Sequence, residues 1–465
     1  MASALATELK IDIAQYLFKT RDDLRSLSLV SRGWQASAQN ALFQVLRVHF
    51  QTNTIADLLS FLTSSPHLCT YISSVELLPR RTNTVEISQI LKLLAFIPKL
   101  RNLTIDHLKI DSVPNDLVTF AVANQVRRHC NLTVSRTVGD HRSFYLLLNH
   151  LACDYLSFTN EVGIIVPEKS PEDLALTPAT FATLKSFDVE EVVVSDPDDV
   201  PPGSLWTQIA LLSLLPDLEE VGLACNLDDA EWMTAVNKFL EMKGKKMTAL
   251  RLDYLSCPVD GETEDMGEQC YLLLMMNPLM RDQLTAELLF DTMGEDGYGG
   301  VDPSWKAVSL GRCCPSLQSI TFVLLVNIES LDDTKKSDAI LQWRYALRLL
   351  ASASTHSLTS VTLGLALAGD VPYEELEECT IESINWRMWE KVLQRFPNFK
   401  QLNLMRMDDE NFGFSYFPPY QRRNKFPKHY KNEMLKFIAR RMPSLVERGI
   451  LQCEGQAVTS KQKTK

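Results

Sequence analysis

A short phrase recurs along the chain and restricts its possible folds more than any other feature. It consists of an apolar residue, proline, any residue, an apolar residue, two spacers, an apolar residue, one spacer and an apolar residue. Complete copies begin at Ile97, Leu215, Cys314 and Phe396, and a fifth copy at Met442 breaks at Arg448. Since 45% of the residues are hydrophobic, only about one complete copy is expected by chance around the prolines. The four complete copies therefore indicate an internal repeat.

Each phrase follows a segment whose apolar residues have helical spacing. Trp386, Trp389 and Val392 fall on one stripe, and similar stripes run from Trp232 and Trp343. After the proline, which stops the helix, apolar and polar residues alternate as they do in a short half-buried strand. Weaker copies without proline fill the gaps, at 72–77, 184–189, 247–252 and 358–363. The predicted unit is therefore helix, turn and short strand, repeated about every 30 to 40 residues.

Such units bury their apolar helix and strand faces only by stacking on one another. The prediction is an α/β fold, a curved solenoid with helices outside and short parallel strands on its concave face. It resembles an irregular leucine-rich repeat. The position after the strand, where that family usually has Asn or Cys, fits only at Asn226 and departs at Leu108, Leu325, Ala366 and Met407. Regular, tight coiling is therefore not expected.

Polar side chains alternate with the buried strand positions and are expected on the concave face. This mixed polar set suits recognition of a protein target, and the alternative is that these are simply solvated strand positions. The candidate target-binding residues are Asn102, Thr104, Asp106, Glu220, Arg251, Ser319, Thr321, Thr362, Gln401 and Asn403.

The first fifty residues have a different pattern, which predicts three short helices. Apolar residues step by four from Leu5 to Leu17, then by three from Leu24 to Val30, and a third helix follows around Trp34. One interpretation is a helical bundle that caps the open end of the solenoid.

A more specific interpretation comes from the order of these residues. A Leu-x-x-Glu-Leu run at 5–9 is followed by Leu-Val-Ser-Arg-x-Trp at 29–34, and the segment from Leu5 to about Val48 resembles the F-box. That family docks on a Skp-type adaptor and usually has proline where this chain has Ala6, so helix entry, and with it adaptor affinity, is expected to be weaker. The resemblance implies that some residues of one set fill the core of the motif and that the others contact the adaptor. The sequence does not say which residues belong to which group. That set is Leu5, Leu9, Ile13, Leu17, Leu24, Leu27, Val30 and Trp34.

An F-box followed by irregular leucine-rich-like repeats is a familiar layout, especially in fungal proteins of this size. We predict an F-box-like module at 1–48, a solenoid with acidic loop insertions at 49–452, and a polar basic tail at 453–465. The resemblance implies the substrate-recognition subunit of a Skp–cullin–F-box ubiquitin ligase, whose partners are the adaptor, through it a cullin, and an unknown protein target. The alternative is a non-degradative interaction scaffold of the leucine-rich-repeat type.

The sequence contains no motif that indicates catalysis, so a third possibility, an enzyme built on the solenoid, lacks support. No phosphate loop, nucleophile elbow or paired Cys-x-x-Cys motif occurs. A His/Cys cluster that includes Cys130, His150 and Cys153 has irregular gaps, so we expect neither a metal nor a cofactor. The ten cysteines also lack regular spacing, which indicates reduced thiols in a cytoplasmic or nuclear protein.

The net charge of −11 is unevenly distributed. The segment from Gln421 to the C-terminus has twelve Lys/Arg and three Asp/Glu, a balance of +9 that leaves −20 for the rest. This balance argues against a general nucleic-acid coat, and the basic segment 421–441 is either a partner contact or a solvated loop and helix face. No run of about 18 apolar residues occurs, so no membrane-spanning helix is predicted. Acidic residues concentrate in four loop-like stretches, at 190–202, 260–268, 291–302 and 370–382.

Overall fold

The fold is given by a computed structural model, which describes most of the repeated segments. The described residues are 7–17, 20–49, 54–78, 83–111, 128–159, 162–165, 178–189, 215–225, 230–254, 309–327, 333–368, 384–406, 437–453 and 456–457. They belong to two compact units, Met1–Pro216 and Asp217–Lys465. Both units are α/β and contain helices and a mainly parallel sheet.

Unit 1 begins with the three predicted helices. They are α1 (Thr7–Tyr16), α2 (Arg21–Val30) and α3 (Arg32–Phe43). The extended backbone of Ser31 separates α2 from α3. Ala14, Leu24 and Ala41 form the buried centre of this helical module, and partly buried leucines pack around them. Two small residues at the centre let the helices approach closely around a single leucine.

The main sheet of unit 1 consists of parallel strands in the order β1-β2-β4-β7-β10-β12. The strands are β1 (Val45–Val48), β2 (Ser74–Leu77), β4 (Asn102–Asp106), β7 (Asn131–Ser135), β10 (Tyr155–Thr159) and β12 (Ser186–Val189). The predicted strands at 72–77, 100–105 and 184–189 are confirmed. The strands β1, β7 and β10 were not predicted. Because β1 pairs with β2, the sheet begins inside the segment that was assigned to the helical module.

Helices of unit 1 include α4 (Ile55–Ser64), α5 (Ile87–Phe96) and α6 (His141–His150). A reciprocal cap starts α4: the Asp57 amide donates to Thr54 Oγ1 at 3.2 Å, and the Thr54 amide donates to Asp57 Oδ2 at 2.8 Å. Donation from the Thr54 amide and hydroxyl lowers the pKa of Asp57. Arg128 holds the C-terminal end of the next helix, α5: its Nη1 donates to the Ile97 carbonyl at 2.8 Å.

A second, smaller sheet in unit 1 was not anticipated from the sequence. Its parallel strands, in the order β11-β8-β5-β3, are β3 (Asn83–Glu86), β5 (Leu108–Asp111), β8 (Val138–Asp140) and β11 (Gly163–Ile165). The short pair β6 (Arg128–His129) and β9 (Leu151–Ala152) completes the strands described in this unit.

Sharp corners lead from the main sheet into the second sheet. His107 and Arg136 adopt left-handed backbone angles, with φ of 57° and 45°, which cost energy in residues other than glycine. Hydrogen bonds hold both corners, since the His107 amide and the Thr137 hydroxyl both donate to the Ser135 carbonyl, at 2.9 and 2.7 Å. A two-point ion pair joins Asp106 to Arg136, with Nε donating to Oδ1 at 2.9 Å.

Unit 2 has a sheet in the order β13-β14-β15-β16-β17-β18-β19, parallel except for the last pair. Its strands are β13 (Glu220–Cys225), β14 (Ala249–Tyr254), β15 (Ser319–Asn327), β16 (Ser360–Ala368), β17 (Gln401–Arg406), β18 (Leu451–Cys453) and β19 (Gln456–Ala457). Its helices are α7 (Ala230–Lys243), α8 (Leu310–Cys313), α9 (Asp333–Ala351), α10 (Trp386–Gln394) and α11 (Pro443–Glu447). The helices predicted from the stripes that begin at Trp232, Trp343 and Trp386 are confirmed.

Aromatic side chains form the centre of the core of unit 2. The ring of Trp343 packs edge-to-face on Trp386 and Trp389, at centroid distances of 5.3 and 5.6 Å. Trp389 in turn packs against Phe322 at 6.3 Å. These contacts join α9, α10 and β15, and each adds about 0.5–1.5 kcal/mol beyond area burial.

Hydroxyl side chains take part in the step between successive repeats of unit 2. The amides of Thr248 and Ala249 both donate to the Glu219 carbonyl, at 2.8 and 3.1 Å, and Thr359 and Ser360 donate in the same way to Gln318. The hydroxyls of Thr248 and Thr359 add bonds to these carbonyls at 3.1 and 3.0 Å. A threonine hydroxyl directly before the strand thus adds a hydrogen bond to a backbone carbonyl of the neighbouring repeat.

The last repeat departs from the sequence phrase. Pro443 occupies the first turn of α11 instead of ending a helix, and the strand follows only at Leu451. Residues 456–457, at the start of the predicted polar tail, form β19 and pair antiparallel with β18. The tail prediction for 453–465 is therefore incorrect at its start, because sheet pairing continues to Ala457.

Candidate functional site

Large apolar side chains are exposed on the first two helices of unit 1. The exposed fractions are 50% for Leu9, 40% for Ile13 and 88% for Tyr16 on α1, and 85% for Leu29 and 66% for Val30 at the end of α2. Spacings of four and three residues place the α1 members on one helical face. We call these five residues the apolar helix surface. Large apolar side chains exposed together on one helical face, as on α1, mark interaction sites.

The structure divides the predicted adaptor-binding residues into two groups. Leu24 lies in the core of the helical module, Leu17 and Leu27 pack partly against that core, and Trp34 is buried. The remaining members with a described side chain are exposed, and they are Leu9, Ile13 and Val30. Leu5, and Ala6 beside it, lie outside the described residues. Roughly half of the predicted set therefore serves the fold of the module.

Tyr16 and Leu29 were missed as members of this surface. A signal existed for both, because Tyr16 continues the helical spacing of Leu9 and Ile13, and Leu29 directly precedes Val30 in the Leu-Val-Ser-Arg-x-Trp run. The apolar pattern alone does not say which leucines of a small helical module face inward, since core and contact residues have the same composition.

The strand face of unit 1 contains charged side chains that are bound to neighbouring side chains. Arg47 Nε donates to Glu76 Oε2 at 2.7 Å, and the Tyr155 hydroxyl donates to Asp188 Oδ2 at 2.8 Å. The Asp106–Arg136 pair lies at the end of the same face. The candidate Asn102 accepts from Asn131 Nδ2 at 3.2 Å, and Thr104 lies in register with Glu76 on the neighbouring strand.

The strand face of unit 2 is mainly uncharged. Its candidates form two rows across the paired strands: Ser319 is in register with Gln401 through β16, and Arg251, Thr321, Thr362 and Asn403 follow one another. Arg251 pairs with Asp253 at 3.0 Å, and Glu220 is exposed at the start of β13. All ten candidate target-binding residues are exposed or half-buried, as the strand alternation predicted. Three of them belong to unit 1 and seven to unit 2.

The two cysteines of the His/Cys cluster, Cys130 and Cys153, are free thiols and both are buried. Burial raises the pKa of Cys130 to about 12, against a smaller opposing effect of Arg128, and it also raises the pKa of Cys153. His150 Nδ1 lies 2.8 Å from the Leu146 carbonyl oxygen. Among the described residues, no group of three His, Cys, Asp or Glu side chains could hold a metal ion. Within the same part of the chain, no helix is long and apolar enough to cross a membrane.

Some predicted features fall on residues that the structure does not describe. These are the four acidic stretches, at 190–202, 260–268, 291–302 and 370–382, and most of the basic segment, at 421–436.

Comparison with known proteins gives little to place beside this geometry. No family model matches the chain, and no curated protein matches it. Among solved structures, the chain is similar to the crystal structure of a TLR13–ssRNA13 complex, with 12% identity and a TM-score of 0.18. That match covers 72% of this chain and 49% of the other, so it spans about half the length of the solved chain.

Proposed function

We propose that this chain is the substrate-recognition subunit of a Skp–cullin–F-box ubiquitin ligase. The observation that carries the proposal is the apolar helix surface. It lies on helices that contain the F-box residue order, around a module core that is already filled by other side chains. In this proposal, α1 to α3 dock on a Skp-type adaptor and reach a cullin through it. The chain itself performs no catalysis.

Hydrophobic burial is the driving force of the proposed docking. Full burial of one large aliphatic or aromatic side chain contributes about 1.5–3 kcal/mol. Five such side chains, three on α1 and two at the end of α2, present the kind of anchors that an amphipathic helix inserts into an apolar groove. Tyr16 and Leu29, the most exposed of the five, have the most to gain.

The target would bind on the strand faces. We propose that the repeats form a curved, leucine-rich-repeat-like solenoid whose parallel strands line its concave side. The polar rows of unit 2 and the paired charges of unit 1 would recognise a protein surface by hydrogen bonds and shape. Ubiquitin transfer would then depend on proximity, because tethering raises the effective concentration of target lysines near the loaded enzyme.

Adaptor retention by the full-length chain tests the proposal. The variant Leu9→Asp/Val30→Asp places two carboxylates on the apolar helix surface and leaves the module core intact. Its matched control, Gln35→Asp/Ala36→Asp, adds the same charge at exposed positions of α3. We expect wild type and control to retain a purified Skp-type adaptor and the first variant to lose it. Failure of wild type to retain the adaptor, or equal retention by all three proteins, would refute the proposed docking.

Ala6 favours a second candidate, a non-degradative interaction scaffold of the leucine-rich-repeat type. Without the proline that pre-sets the helix start, adaptor docking is expected to be weaker. Capture of a cullin together with the adaptor separates the two candidates. A ligase subunit brings down both proteins, whereas a scaffold brings down the adaptor alone or neither protein.

A further inference from the structure

The last two repeats of unit 2 carry an excess of exposed cations. The exposed cations in residues 384–406 and 437–453 are Arg387, Lys391, Arg395, Lys400, Arg440, Arg441 and Arg448. The described residues of these two segments contain only two carboxylates, Glu390 and Glu447. We call the seven cations the basic surface. Its charge contrasts with the net charge of −11 for the whole chain.

Seven exposed cations against these two carboxylates leave a balance of +5. Glu390 is engaged by Ser444, whose amide donates to Oε1 at 2.9 Å and whose hydroxyl donates to the same oxygen. None of the seven cations forms an ion pair with another described residue. Elsewhere in unit 2 exposed cations do find carboxylates, as in Arg312–Glu241 at 2.8 Å and Lys246–Asp217 at 3.1 Å.

Packing fixes the direction of the cations on α10. Trp386, Trp389 and Val392 are buried in the core, so the opposite face of the helix points to solvent. Arg387 and Lys391 lie one turn apart on that outer face, with about 5–6 Å between their Cβ atoms. The helix thus contributes a short row of two positive charges on its outer face.

A hydrogen bond connects this row to the cations of the next repeat. Gln394 Nε2, in the last turn of α10, donates to Ser444 Oγ at 2.8 Å, and Ser444 lies in the first turn of α11. Arg440 and Arg441 precede that turn by a few residues. The cations of both repeats thus lie on neighbouring elements that are joined through Ser444.

The chemistry of the surface favours carboxylates on a protein segment over a nucleic acid. Five of the seven cations are arginines, whose planar guanidinium groups bind carboxylates and phosphates alike at two points, so other features decide between the two. Single-stranded nucleic acids also need exposed aromatic faces for base stacking. No aromatic side chain in residues 384–406 and 437–453 is fully exposed, and the half-buried Phe437 ring is covered by the Arg441 guanidinium at 5.1 Å. A long polyanion would also meet the net negative charge of the rest of the chain.

We propose that the basic surface is a docking site for a short acidic protein segment rich in Asp and Glu. The site lies in unit 2 and uses none of the residues of the apolar helix surface or of the strand rows. It does not depend on the proposed ligase function, because its residues contribute to neither the adaptor contact nor the strand rows.

Fluorescence anisotropy with the full-length chain tests this site, and a labelled peptide of alternating Glu and Gly is the probe. The variant Arg387→Glu/Lys391→Glu/Arg440→Glu reverses three cations that have no other described role. The matched control is Lys92→Glu/Lys99→Glu/Lys109→Glu, which reverses three exposed cations of unit 1 and changes the net charge equally. Wild type and control are expected to bind the peptide alike, and the first variant about tenfold more weakly or worse.

The remaining outcomes contradict the proposal in distinguishable ways. Equal weakening by the control would show that only net charge matters. Displacement of the peptide by a single-stranded oligonucleotide of equal total charge, at a lower concentration than by unlabelled peptide, would assign the surface to nucleic acid. Absence of peptide binding to wild type at low ionic strength would remove the site altogether. Adaptor retention by the charge-reversed variant, measured in parallel, keeps this result separate from the proposed function.

Discussion

Truncation of Leu24 and of Leu29 should have opposite consequences, although both are leucines of α2 only five positions apart. Leu24 is fully buried between Ala14 and Ala41, whereas Leu29 is 85% exposed. Leu24→Ala removes buried methyl groups and leaves a cavity, which costs about 3 kcal/mol in a well-packed core. A helical module of this size is only marginally stable, so this loss is a large fraction of its free energy of unfolding.

The cost at Leu29 follows from the small part of its surface that folding removes from water. Only about 15% of that surface is covered, so Leu29→Ala should cost roughly 0.3 kcal/mol. Hydrogen exchange of the amides in residues 7–43, measured by mass spectrometry on the full-length chain, reports the stability of the module locally. The expected acceleration is roughly a hundredfold for Leu24→Ala and less than about twofold for Leu29→Ala. Similar acceleration by both variants would refute the division of this module into core and contact residues.

Three further predictions concern a corner, a thiol and a helix cap. Asp106→Ala leaves the Arg136 guanidinium half-buried and unpaired, so the urea midpoint should fall by an amount equivalent to about 1–2 kcal/mol in the free energy of unfolding. An unchanged midpoint would show that the ion pair is not stabilising. Cys130, whose pKa is about 12, should resist alkylation at pH 8 in the folded chain and react after unfolding in urea, as peptide mass spectrometry can detect. Because the pKa of Asp57 is lowered, its contribution is present above the unfolded value of about 3.9 and is lost as pH falls through the lower folded value. The stability advantage of wild type over Asp57→Asn should therefore shrink in acid, and a constant difference from pH 6 to 2 would contradict the capping role.

The repeated helices and most strands could be predicted because their burial leaves a periodic trace in the sequence. The tryptophan stripes predicted α7, α9 and α10, and the spaced apolar residues predicted β4, β13, β15 and β17. The second sheet could not be predicted in this way. Its strands have only three or four residues, too few to establish a period, and it begins at corners where His107 and Arg136 adopt an angle usually associated with glycine.

The candidate surfaces were predictable to different degrees. Strand alternation placed all ten polar candidates correctly away from the core, because a period of two assigns faces without further information. The same simple rule fails for α1 and α2, where apolar residues occupy both the inner and the outer faces. Leu24 and Val30 differ in exposure because of how three helices pack, and that packing is not encoded in the spacing of either residue. The sequence pointed to a basic segment at 421–441, which includes Arg440 and Arg441, but it did not point to the cations of α10, because these belong to a separate repeat.

Parallel pairing between successive repeats has a consequence for the order of folding. Paired residues are 29 positions apart for Val45 and Ser74 on β1 and β2, but 70 apart for Ala249 and Ser319 on β14 and β15. Closing the longer loop costs about 0.8 kcal/mol more in chain entropy. Contacts between distant positions form more slowly than local ones. The β14–β15 step should accordingly be among the late events of folding, and a nascent chain would hold an unpaired β14 edge until about seventy further residues had been synthesised.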